Sequence, residues 1–276
     1  MTTVLRRVLA TAIGLTMGLS VAAAPSSAAG TAAPRQGEGC DRRIALTFDD
    51  GPSAYRTQTL RTLRRERVPA TFFDVGVRVA ANPQFAGFEA REGHLVLNHT
   101  WTHPNLTGLT QAQIRAQTLR TQRALAAAGA PLPFKLLRPP FGAVDDRVAA
   151  TLAGLGYRYV LWDVVAVDWD VATTSEQIYD TIVAGLRPGA VILMHDGPID
   201  SAAGQAVQAA LPRVIDEARR LGYCFGLLDR GGSVIGARLR PSHARIPRVI
   251  NPVPYLPLGE TSRGQLPPRP YVIIQP

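Results

Sequence analysis

A (β/α) barrel short of the usual eight strands is the fold this sequence predicts, on three observations. From residue 43 onward, short apolar runs alternate with helix-like patterns, the mark of successive βα units. Polar residues with useful chemistry recur directly after those runs, at the rim where barrel folds gather their sites. The only two cysteines, Cys40 and Cys224, fall before the first run and inside the last. In a barrel those strands meet at the seam, within reach of a disulfide; in an open doubly wound sheet, the other arrangement of such units, they can be far apart.

Seven strands are expected, over 43–48, 71–74, 95–98, 135–137, 158–162, 190–194 and 223–228. Helical patterns lie between them, over 57–67, 145–155, 175–186 and 204–221, and in one that starts at Thr110. There, Thr110 and Gln113 form a capping box, and Ile114, Thr118, Thr121 and Leu125 recur on one face.

The two ends of the 276-residue chain differ from this middle. Residues 1–29 read as a signal peptide, with basic Arg6 and Arg7, an apolar stretch over 8–21, and small residues through Ala29. Its apolar stretch is shorter than the roughly 20 residues needed to span a bilayer, so no stable membrane span is expected after cleavage. A short linker over 30–42 leads into a folded domain over 43–236. Residues 237–276, rich in proline and arginine and without periodicity, are expected to be extended or disordered. The formal net charge of +9 points to anionic polymers. For an exported protein that means polymers of the cell wall, reached through the basic tail, and not nucleic acid. Export also places the two cysteines in an oxidising space.

The chemistry-bearing residues follow the strands one by one. Asp49 and Asp50 end the first, His99 and His103 follow the third, Arg138 the fourth, Asp163 and Asp168 the fifth, and His195 ends the sixth. Three of the five histidines are in this set. His99 and His103 are four apart, so one helical turn before Pro104 would place both imidazoles on one face. A carboxylate from Asp50 would complete two histidines and one carboxylate with an open position, the pattern of a catalytic zinc or a non-haem iron centre. Adjacent carboxylates at a strand end repel each other unless a cation offsets the charge, and the second, Asp49, would then be free to act as a base.

Five segments together resemble the ordered motifs of the polysaccharide deacetylases, carbohydrate esterase family 4. They are Thr47-Phe48-Asp49-Asp50-Gly51-Pro52, His99-Thr100-Trp101-Thr102-His103-Pro104, Arg138-Pro139-Pro140-Phe141-Gly142, Asp168-Trp169 and Leu193-Met194-His195-Asp196. The resemblance covers about 43–228 and implies a distorted (β/α)7 barrel. It implies that Asp50, His99 and His103 hold Zn2+ or another divalent ion such as Co2+. Asp49 would be the base that takes a proton from the attacking water, with Arg138 orienting it. His195 would be the acid, held in its tautomer by Asp168. The backbone N–H of Phe141, where the family more often has tyrosine, would serve the oxyanion, and Trp169 and Leu193 would wall the acetyl pocket. Asp74, Leu95 and Leu97 depart from the family pattern and bear on groove shape. The implied activity is removal of acetyl groups from chitin oligomers, peptidoglycan or acetylxylan.

Two other readings fit parts of the sequence. A wall-binding module on an inactive deacetylase scaffold would need only the basic tail and the fold. A non-haem iron oxygenase would share the two-histidine, one-carboxylate set, but such enzymes favour double-sheet scaffolds over βα repeats. His94 is expected to serve the fold, while Asp163, Asp170 and Asp196 are either supporting or surface groups.

Overall fold

The computed structural model describes residues 40–196, 201–240 and 242–250. The expected signal peptide and the end of the tail lie outside these. Among these residues, nine strands and seven α-helices follow one another, beginning β1 (Arg43–Asp49), α1 (Arg56–Glu66), β2 (Thr71–Asp74), α2 (Gly76–Ala81), α3 (Gln84–Glu92), β3 (Leu95–Asn98) and α4 (Gln111–Ala127). Then follow β4 (Leu136–Leu137), α5 (Asp146–Ala153), β5 (Arg158–Tyr159), β6 (Val164–Val165), α6 (Ser175–Ala184), β7 (Val191–His195), α7 (Ser201–Arg220), β8 (Cys224–Leu228) and β9 (Val234–Gly236).

Parallel pairing runs β5-β4-β3-β2-β1-β7-β6, and the start of β1 also pairs with β8. The result is the curled sheet of a distorted barrel. Alternation along β1 explains its two-sided burial. Ile44, Leu46 and Phe48 pack outward against α1, α6 and α7 together with Phe72, Ile178, Val207 and Leu211. Ala45 faces the interior with Phe73, Leu97, Leu136, Val160, Val191 and Leu228. The capping box on α4 is present, and Ile114, Thr118, Thr121 and Leu125 are its buried face.

Arg43 of β1 is the register partner of Cys224 in β8, and a disulfide joins Cys40 to Cys224 with 6.5 Å between their Cα atoms. The seam argument from the sequence holds. Two strands and two helices had no clear sequence signal. β6 and β9 have two and three residues, too few for an alternating pattern. α2 and α3 are short and are separated by Asn82-Pro83, which breaks the helical period. Strand β5 stops at Tyr159, and Val160 turns inward to the barrel core.

The described part of the tail has neither helix nor strand and packs on the domain. Pro247 and Ala244 accept hydrogen bonds from Thr57 and Arg64 of α1, Arg248 from Gln84 of α3, and Ile246 and Val249 pack on the outer core. Among the described residues no helix is long and apolar enough to cross a membrane.

Candidate active site

Register brings the strand ends to one rim. Asp49 faces His195 across β1 and β7, Asp74 faces Asn98 across β2 and β3, and Asn98 faces Leu137, the residue before Arg138.

The loop after β3 corrects one expectation. Residues 99–104 form no helical turn; Thr100 and His103 have φ of 69° and 60°, in the left-handed region. Side chains take the place of helical hydrogen bonds. Asn98 Oδ1 accepts from the Thr100 N–H at 2.9 Å, and Gln117 Oε1 of α4 accepts from the N–H groups of Trp101 and Thr102 at 2.8 and 2.9 Å. The two imidazoles still meet, with ring centroids 4.8 Å apart.

Asp50, itself at φ 70°, directs Oδ1 to 3.3 Å from His99 Nε2 and 3.0 Å from His103 Nε2. That oxygen is buried, yet no N–H is aimed at it with hydrogen-bonding geometry. Donor atoms about 2.1 Å from one tetrahedral ion lie roughly 3.4 Å from each other, and the three ligand atoms here lie within 4.8 Å of one another, close enough to share a single ion. His99 Nδ1 lies 2.7 Å from the Arg138 carbonyl, and donating there leaves the Nε2 lone pair for a cation. Burial opposes charge on Asp50, but His103 and His99 beside it hold its carboxyl well below the usual range. Burial lowers His103 below the ordinary imidazole value, which keeps its lone pair available. His99 shows the opposite: burial disfavours its charged form, but Asp49 and Asp50 raise it. A cation would relieve that competition.

Asp49 lies beside this cluster, with Oδ2 3.6 Å from His99 Nε2. Its other oxygen accepts from Arg138 Nη1 at 2.8 Å. Arg138 is fully buried and held on three sides: it donates to Thr47 Oγ1 at 2.7 Å and to the Leu161 carbonyl at 2.9 Å, and lies 4.2 Å from the centre of the Phe73 ring. Thr47 in turn donates to the Ile192 carbonyl at 2.7 Å, tying the arginine to β7.

Across the rim, Asp168 binds both the ring and the backbone of His195. Burial works against the charged imidazole, but Asp168 outweighs it and raises His195 to about 9, with smaller help from Asp50 and Asp49. Val167, just before Asp168, has φ 54°, a strained conformation for a β-branched residue. Trp169 stands edge-on to the His195 ring at 5.3 Å and is 42% exposed, so it forms a wall open to solvent. Leu193 is buried on β7 opposite Thr47. Phe141 has φ 61°, its ring lies edge-on to His103 at 4.8 Å, and its N–H finds no acceptor among the described residues.

All the residues expected to work together therefore share one rim. Asp163 does not: its carboxylate binds Arg187 and the Val191 N–H at the opposite end of β7. Asp170 caps the exposed N–H of Ala172. His94 accepts from the Ala70 N–H, and burial lowers it to about 3, as befits a neutral residue of the fold. Asp196 is buried against Arg56. Arg78, which no motif singles out, donates from Nη1 to the Asp50 carbonyl at 3.0 Å.

The family model described as polysaccharide deacetylase matches residues 36–160. A chitooligosaccharide deacetylase of Sinorhizobium fredii is 36% identical over 71% of this chain and 94% of its own. The peptidoglycan-N-acetylglucosamine deacetylase PgdA of Listeria monocytogenes is 36% identical over 68% of this chain, though the match spans only 38% of PgdA. Among solved structures, a family 4 carbohydrate esterase from Streptomyces lividans in complex with acetate is 36% identical with a TM-score of 0.65, over 72% of this chain and 99% of its own.

Proposed function

Because the chain belongs to the polysaccharide deacetylase family, we propose that it is a secreted, metal-dependent hydrolase that removes acetyl groups from N-acetylglucosamine polymers or from acetylxylan. The observation that carries this is the convergence of Asp50 Oδ1, His99 Nε2 and His103 Nε2 beside Asp49, whose register partner on β7 is His195.

Asp50, His99 and His103 would hold a divalent ion, zinc in this reading, with a position left open. When bound, such an ion lowers the pKa of water towards about 7 and polarises an acetyl carbonyl. Asp49 is placed to receive the proton of the attacking water, and Arg138 fixes which of its oxygens is turned to the site. The Phe141 N–H is the available backbone donor for the oxygen that gains charge. His195 is charged at neutral pH and donates its Nε2 proton to the departing amine or alcohol. Trp169 and Leu193 line the space for the methyl group. The anchoring of polymer is assigned to the basic tail and the net charge of +9, with an anionic wall polymer as partner. Export by the N-terminal segment and the Cys40–Cys224 disulfide support an extracellular setting.

Acetate release from chitin oligomers, peptidoglycan and acetylxylan tests the proposal. Release from at least one, lost with chelation and restored by zinc, is expected. Polymer binding with no acetate from any of the three would instead favour a wall-binding protein on this scaffold.

A further inference from the structure

Arg56 has no exposed surface and sits under the active site, where three carboxylates surround it. Nη2 lies 2.6 Å from Asp74 Oδ1 and 2.9 Å from Asp196 Oδ1, Nη1 lies 2.6 Å from Glu89 Oε1, and Nε also donates to Asp196. Phe72 covers one face of the guanidinium, 4.1 Å from the ring centre.

Each neighbour leads to a different part of the chemistry. Asp196 follows His195, and its N–H points to the Asp49 carbonyl. Asp74 ends β2; its carbonyl accepts the His99 N–H at 3.1 Å, and the next two residues bond Gly51 and Thr100 through Val75 N–H and Gly76 N–H. Gly51, directly after Asp50, packs against the guanidinium so closely that a Cβ there would fall 1.7 Å from Arg56 Nη2 and 2.6 Å from Asp196 Oδ1. A glycine is needed at that position by contact with this arginine.

We propose that Arg56 is a positioning residue of the active site, a buried brace that fixes the Asp49-Asp50 segment, the His99 loop and the His195 strand end relative to one another. This rests on the deacetylase reading for its effect on catalysis, but not for its effect on the metal ligands. Arg56 touches neither substrate nor reacting atoms. Burial, partly offset by Arg56, pushes Glu89 up to about 8. Lysine at position 56 would keep the charge but has one nitrogen, and it cannot reach all three segments.

The experiment compares wild type with Arg56→Lys for folding by circular dichroism, for zinc affinity by competition with a chromophoric chelator, and for kcat and KM. A folded Arg56→Lys protein is expected to bind zinc about 10-fold or more weakly and, when zinc-saturated, to lose about 10-fold in kcat with KM little changed, as for loss of groups that orient metal ligands. A folded variant with wild-type zinc affinity and kcat overturns the proposal. Should Arg56→Lys fail to fold, Asp74→Asn is measured in the same way: reduced affinity and kcat support the brace, unchanged values overturn it. If wild type releases no acetate from any substrate, the deacetylase reading fails, while the zinc comparison still decides the role of Arg56.

Discussion

Asp168 grips His195 twice, with one carboxylate oxygen 2.7 Å from Nδ1 and the other accepting the backbone N–H of the same histidine at 2.7 Å. The double contact fixes the ring and its tautomer, and leaves Nε2 as the proton-bearing edge available to a substrate. It is also the main reason the charged form survives burial.

A high-pH limit on activity follows. His195 is raised to about 9 from an ordinary value near 6.5. Its charged form therefore adds stability that is complete below about 6.5 and is lost as pH rises through about 9. The general acid is lost over the same window. A cation at Asp50 works against the imidazolium, so the alkaline limb of kcat should fall at or below about 9. Asp168→Asn removes the charge, and the limb should move down towards the ordinary imidazole range, with kcat at pH 8 reduced by about 10²-fold or more. A pH–rate profile unchanged by Asp168→Asn would count against this role.

Asp49→Asn separates base chemistry from metal binding. Arg138 keeps its bonds to Thr47 and the Leu161 carbonyl, so the rim should hold its shape. We expect one zinc per chain by elemental analysis, but kcat lower by about 10²–10⁴-fold. Loss of the metal together with activity would make Asp49 a ligand instead.

The residues proposed as ligands and as the acid–base pair could be picked out from the sequence because each belongs to a short contiguous motif at a strand end. The loop conformation between His99 and His103 could not, since it depends on Gln117 from a later helix. The brace was hidden more deeply. Arg56, Asp74, Glu89 and Asp196 are scattered over 140 positions, and only the folded chain brings Asp196 to Arg56. Asp74 stood out as a departure from the family pattern, and its partner could not be read from spacing. The fold itself was clear from the βα alternation, apart from β6, β9, α2 and α3, whose lengths leave too few residues for a period.

The disulfide should matter for stability more than for chemistry. It closes a chain separation of 184 residues far from the rim. Replacing both Cys40 and Cys224 with serine is expected to lower unfolding stability by about 2–5 kcal/mol, measured by urea denaturation, with kcat unchanged at a temperature where the variant stays folded. A large drop in kcat of the folded variant would show that the seam also shapes the site.

The most direct test is a zinc titration of chelator-stripped protein, following acetate release from the best substrate of the panel. Acetate release should be absent at first, rise linearly and level off at one ion per chain, and His103→Ala should abolish the rise at these concentrations. Full activity in the stripped protein, or a wild-type titration curve in His103→Ala, would contradict a single ion held by Asp50, His99 and His103.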